Sequence, residues 1–147
     1  MRRLIVGLAA LSVAAVTAAA YATEDPIQTR KWLMDSNGAA AGAGAAMLKE
    51  ETPFHPGVAN SVFQMMHAVA YSYGDYFPAG SDAGDTKASP KFWEDAAGFA
   101  AALAKFQQDT DAAIAAKPAD LEAFKVAFGQ VTGNCKACHD AFRIPSN

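Results

Sequence analysis

Leu121, Phe124, Phe128, Val131, Cys135, Cys138 and Phe142 recur at alternating spacings of three and four residues. That is the period of one face of an α-helix. The run predicts a long amphipathic helix from about Ala119 to Phe142, with two cysteines on its buried stripe. Such a stripe needs other helices to cover it, and three stretches can supply them. The first runs from Pro26 to Glu50, the second from Val58 to Tyr76, and the third from Ser89-Pro90, read as N-cap and first helical position, to Ala116. Pro53-Phe54-His55-Pro56-Gly57, a Gly/Asp/Ser-rich loop over 77–88, and Lys117-Pro118 separate them. The second stretch offers a seam of Val58, Val62, Met65, Val69 and Tyr73 or Tyr76; the third offers Phe92, Ala96, Phe99, Leu103 and Phe106. No strand alternation or hairpin signal competes. The expectation is an all-α, antiparallel up-down-up-down four-helix bundle.

The first stretch is almost pure Gly and Ala from Gly38 to Ala46. Each Gly costs about 1 kcal/mol of helix propensity against Ala, so one reading is a weak helix. The other is a flattened face. Gly38, Gly42 and Ala46 are four apart, as are Ala41 and Ala45, which lets a second helix, a flat ligand or a second subunit approach.

Cys135-Lys136-Ala137-Cys138-His139 is a C-x-x-C-H motif. Residues three and four apart share a helix face. Two thiols at this spacing can reach the two vinyl groups of one porphyrin, and the next imidazole can ligate its iron: the attachment motif of a c-type haem. A dithiol redox pair would sit in a βαβ pattern that this chain lacks. A zinc site needs two more ligands, and only His55 and His67 remain, far upstream. A disulfide across so tight a loop would crosslink little. No nucleophile–base pair, phosphate loop or metal-hydrolase motif is present, so the chain does not read as an enzyme: its part is to hold the cofactor, set its axial ligands and control solvent access while the haem does the redox work.

Arg2-Arg3, the apolar run Leu4–Val16 and Ala20-Tyr21-Ala22 have the layout of a secretory leader cleaved after Ala22. Residues 1–22 are then a leader and 23–147 a single domain, with no membrane insertion once the leader is gone. The compartment expected is the periplasm. Loss of Arg2 and Arg3, with every acidic residue beyond the leader, takes the net charge from −3 to −5. Nucleic acid is excluded as a partner. A redox protein presenting a basic patch, in a small transient contact, is the expected one.

Taken together, these features resemble the cytochrome c′ superfamily over essentially the whole of residues 23–147. Cys135-Lys136-Ala137-Cys138-His139-Asp140-Ala141-Phe142-Arg143 is similar to the family's ending, and Ser89-Pro90-Lys91-Phe92-Trp93 resembles the start of its third helix. The resemblance implies one covalent haem c per chain. It also implies one of two kinds of protein. High-spin cytochromes c′ leave the sixth iron position empty under an apolar residue and bind nitric oxide or carbon monoxide. Low-spin members of the c-556 type fill it with a first-helix methionine and carry electrons. Leu33-Met34-Asp35-Ser36-Asn37-Gly38, followed by the Ala/Gly run and Pro53-Phe54, looks more like the second kind, and Met34 is the matching methionine. Relatives often pair through their first two helices, which makes a homodimer an expectation.

Met34 shares a seven-residue repeat with Ile27, Ala41 and Leu48, so it lies on its helix's seam. That position suits a ligand and equally a flexible core filler. Met47, Met65 and Met66 read as core. Arg143 stands four residues after His139; in relatives a basic residue here lies near the proximal imidazole or a propionate, and it also suits a helix C-terminus. Arg30, four before Met34, is open to a propionate or to solvent. Trp93 covers a haem edge or serves as a core aromatic. His67 reads as partly exposed and His55 as a loop residue.

Overall fold

The computed structural model describes residues 25–145. The leader expected over residues 1–22 lies outside them. Five helices are present: α1 Pro26–Leu48, α2 Pro56–Ser72, α3 Lys91–Glu94, α4 Ala96–Ala116 and α5 Leu121–Phe142. A short 3-10 turn, Tyr73–Tyr76, extends α2. The four long helices form a ring: α1 packs on α2, α2 on α4, α4 on α5, and α5 closes back on α1. This is the antiparallel four-helix bundle that the periodicity predicts. Among the described residues, no helix is long and apolar enough to cross a membrane.

Local chemistry sets the helix starts. The Asp25 carboxylate accepts hydrogen bonds from the N–H groups of Ile27 (2.9 Å) and Gln28 (3.3 Å), with Pro26 at the first helical position. Asp120 caps α5 through the N–H of Ala123 (2.8 Å). His55 is more than a loop residue: its Nδ1 accepts from the N–H of Gly57 (3.1 Å) and caps α2, which starts at Pro56 rather than Val58. The third stretch is not continuous from Pro90. Asp95 leaves helical geometry (φ −124°, ψ 59°), and its side chain caps a new helix by accepting from the N–H of Gly98 (2.9 Å). The break resets the phase, so Ala96 faces solvent while Phe92 stays buried. Lys117 ends α4 in the left-handed region (φ 45°), and Pro118 prevents continuation.

One end of the bundle is a dry core. Phe63 and Phe124 are fully buried with ring centroids 5.3 Å apart, and Phe128 lies 5.1 Å from Phe124. Met47, Met66 and Val131 fill the space around them. The expected α2 seam is rotated by about one position: Ala59, Val62, Phe63, Met66, Val69 and Ala70 face inward, while Val58 and Met65 are exposed. Val62 and Val69 are flanked by two apolar columns, Val58 and Met65 on one side and Ala59, Phe63, Met66 and Ala70 on the other, and the one with Phe63 is the one buried, because it removes more apolar surface from water.

The small-residue face of α1 is also shifted. Ala40, Gly44 and Met47 are the buried residues of this stretch. A Cβ on Gly44 would lie 2.2 Å from the Phe128 ring, so only glycine admits that ring here. Gly38 and Gly42 face open space. The close approach of α5 to α1 therefore runs through Gly44 and not through Gly38 and Gly42.

Candidate functional site

The other end of the bundle is hollow. A cavity of about 370 Å³ opens between α1, α4 and α5. The α5 wall carries Asn134, Cys135, Cys138, His139 and Phe142. The seam places them: below Val131 the α5 stripe is buried against aromatic rings, and above it the same stripe faces the void. Ile27, Met34 and Asn37 line the cavity from α1. Phe92, Phe99, Leu103 and Phe106 give it an apolar floor from α3 and α4. Phe92 and Phe99 meet edge-to-face at 4.5 Å, and each packs on Phe142. Tyr73 and the segment Thr86–Ala88 complete the boundary.

Cys135 and Cys138 are both free thiols. Burial pushes both thiols up, Cys138 further under the influence of Cys135. A redox-active dithiol needs a lowered thiol instead. Burial also lowers His139, helped by Arg143, which keeps the imidazole neutral and its nitrogen lone pair available to a metal. Among the described residues no group of three or more His, Cys, Asp or Glu is placed to hold a bare ion. Two thiols and an imidazole lining a largely apolar cavity suit a macrocycle that brings its own metal. Asn37, which lines the cavity, has its Oδ1 buried without a hydrogen-bond partner among the described residues.

A family model for cytochrome c′ matches residues 25–143. The chain belongs to the cytochrome c′ family. It is 38% identical over 125 residues to a cytochrome c′ of Rhodopseudomonas palustris, covering 84% of this chain and 85% of that one. It is 30% identical over 136 residues to cytochrome c-556 of Agrobacterium fabrum, covering 92% of each. The solved structure of the R. palustris cytochrome c′ superposes with a TM-score of 0.79 at 37% identity, covering 84% of this chain and 98% of that one. A cytochrome c′ described as having an unusual ligand-controlled dimer dissociation is 25% identical with a TM-score of 0.75, covering 82% of this chain and 95% of that one. Members of this family carry covalently attached haem c, and this chain is a haem c cytochrome.

The cavity gathers several of the residues singled out from the sequence and leaves one aside. Cys135, Cys138, His139, Met34 and Arg143 all line it. Arg143 forms an isolated β-bridge with Ala88 at the end of α5. Trp93 is not among the lining residues; its ring packs on Phe77 and Phe92, one layer behind the wall. Arg30 is not solvent-exposed: it is buried, it lines the cavity, and its guanidinium is engaged by the segment after α2. His67 is half-buried and pairs with Asp111 at 3.0 Å on the outer surface. Sequence reasoning missed Tyr73, Asn37, Asn134 and Lys87 as cavity residues. For Asn134 a signal existed, since it directly precedes Cys135; its amide is fixed by donating to Asp109 Oδ2 at 2.7 Å.

Tyr73 carries a pH signature. Burial pushes its hydroxyl up to about 12 from the ordinary 10, with Arg30 opposing, Cys138 reinforcing and Arg143 opposing. The folded chain thus holds the neutral phenol where the unfolded chain ionises. The resulting stability is fully present below pH 10 and is lost as pH rises through about 12, up to about 2–3 kcal/mol. A Tyr73→Phe variant is expected to lose less stability than the parent between these pH values. Paired urea unfolding curves at pH 9, 10, 11 and 12 measure the difference. Identical pH slopes would show that Tyr73 is not held neutral.

Proposed function

We propose that this protein is a periplasmic electron carrier whose haem is thioether-linked to Cys135 and Cys138, with the iron held by His139 and Met34. The observation that carries this reading is that Met34 on α1 and His139 on α5 line the same cavity as both cysteines. The haem supplies reversible one-electron chemistry. The protein's part is to anchor it at two points, present a neutral imidazole and a thioether, and surround it with Phe92, Phe99, Phe106 and Phe142 so that water is excluded. A neutral His/Met pair favours a higher reduction potential than an anionic ligand would.

A second reading is a five-coordinate cytochrome c′ that binds nitric oxide or carbon monoxide. Leu103 and Phe106 favour it, because with Met34 they form an apolar wall that suits diatomic ligands. The optical spectrum decides between the two. The expected result is a covalent haem signal in a denaturing gel, a low-spin ferric spectrum and a methionine-to-iron charge-transfer band. A high-spin ferric spectrum with ready carbon monoxide binding would overturn the electron-carrier reading in favour of the second. A gel without covalent haem would overturn both.

The export leader over 1–22 supports the periplasm as the compartment. The net negative charge supports transient docking on a basic face of a redox partner. Self-association is also part of the proposal. The open Gly38 and Gly42 positions on α1 and the exposed Trp32, Val58 and Met65 on α1 and α2 give a second subunit room and apolar surface.

A further inference from the structure

Arg30 is the one Lys, Arg, Asp or Glu side chain that is buried among the described residues, at 4% exposure. None of the described carboxylates forms an ion pair with it. An unpaired buried cation is costly unless dipoles replace its water, and here the dipoles come from one segment. Nη1 donates to the Tyr76 carbonyl (2.7 Å) and to Ser81 Oγ (2.8 Å). Nη2 donates to the Ser81 carbonyl (2.7 Å) and to Thr86 Oγ1 (3.3 Å). The guanidinium carbon lies 4.6 Å from the centroid of the Phe77 ring, a cation–π distance. Every one of these partners belongs to the stretch from Tyr76 to Thr86, which links α2 to α3.

That stretch continues into the cavity wall. Thr86 Oγ1, which accepts from Arg30, also accepts from the N–H of Ala88 at 3.1 Å. Thr86, Lys87 and Ala88 line the cavity directly. Beyond them the segment is stitched to the end of α5: Ser89 N–H donates to the Phe142 carbonyl (2.9 Å) and Ile144 N–H to the Lys87 carbonyl (2.8 Å). The segment is therefore held by a backbone seam at one end and by Arg30 in its middle, with an exposed Lys31–Asp85 pair (2.5 Å) and the stack of Phe77 on Phe92 (4.1 Å) beside them. Otherwise it is rich in Gly, Asp and Ser and holds only one fully buried side chain, Ser81.

We infer that Arg30 is a positioning residue that clamps the segment from Tyr76 to Ala88 against α1, making it the wall that closes the haem cavity on that side and limits entry of small iron ligands. The inference rests on the haem reading above for its functional consequence, though the clamp itself is independent of it. A planar guanidinium fork satisfies carbonyls and hydroxyls at several angles at once, which an ammonium does not reproduce.

The test compares the haem-loaded parent with Arg30→Gln and Arg30→Lys. Amide hydrogen exchange is read at Ser81, Thr86 and Ala88 in the segment, and at Phe63 and Phe128 in the dry core. Loss of charge-assisted bonds should speed exchange in the segment by about tenfold or more. The core should not change, and Lys should restore only part of the protection. Carbon monoxide association is read in a Met34→Ala background, where no thioether competes, and should accelerate with Arg30→Gln. Segment exchange at the parent rate, or equal acceleration in segment and core, overturns the clamp. Unchanged carbon monoxide entry despite faster segment exchange overturns the gating role. Should Arg30→Gln fail to fold, the Ser81→Ala/Thr86→Val double variant removes two acceptors while keeping the cation. The same local acceleration is then expected, and its absence overturns the clamp. A parent without covalent haem strikes the functional reading, while hydrogen exchange still judges the clamp.

Discussion

Replacement of Met34 by Ala is expected to convert the ferric haem from low to high spin. Met34 lines the cavity from α1 while His139 lines it from α5. On the proposed ligation, the substitution removes one of two axial ligands and leaves Cys135, Cys138 and His139 intact. Covalent attachment should survive in a denaturing gel. The methionine charge-transfer band should vanish, the potential should fall, and the reduced protein should take up carbon monoxide. A Met34 that only fills space predicts something different: a loss of roughly 2–5 kcal/mol of stability with the spin state unchanged. An unchanged iron spectrum in the folded variant would transfer the protein to the gas-binding reading.

The largest effect on stability is expected at the other end of the bundle. Phe124 is completely buried, and its ring centroid lies 5.9 Å from that of Phe54, 5.3 Å from Phe63 and 5.1 Å from Phe128. Rings from α2, from α5 itself and from the α1–α2 connection meet on it. Phe124→Ala should cost about 3–5 kcal/mol, because the ring's burial is lost and its close neighbours relax only partly into the cavity left behind. Denaturant unfolding measures the loss. Phe124 does not line the haem cavity, so the haem spectrum of the folded variant should match the parent's. A spectral change would mean that the two ends of the bundle are coupled, against the division into a dry core and a hollow site.

How much of this was legible in the sequence depended on whether one helix carried its own information. The α5 seam was readable because every inward position is a Leu, Phe, Val or Cys and its neighbours, the exposed Val126 apart, are polar or small; Ala127 alone joins the buried set unannounced. In α2 two apolar columns lie side by side, and periodicity could not choose between Met65 and Met66. Packing chose Met66, because only that phase also buries Phe63. The kink at Asp95 was hidden because an aspartate inside an apparently continuous helix is indistinguishable from a surface residue until its carboxylate is seen to cap Gly98. At the site, the cysteines, the histidine and Met34 came from local spacing. Spacing also singled out Arg30 but not its partners, which lie in a loop more than forty residues away that folds back across α1. Gly44 was likewise obscured in a run where every residue is Gly or Ala, and only the Phe128 ring distinguishes it.

The division of the cavity between the first helix and the last has a consequence for dilution. Ordinary ligands stabilise a fold by mass action, and lowering their free concentration withdraws the benefit. On the proposed attachment, a haem tethered through Cys135 and Cys138 would stay with α5 even when the chain is unfolded, so its meeting with Met34 and the rest of the α1 wall would be intramolecular. Its stabilising effect is then governed by an effective concentration that the chain itself sets. No bulk supply of cofactor would then enter the balance, and a single molecule in dilute solution would keep the same hold on its haem as one in a crowded solution.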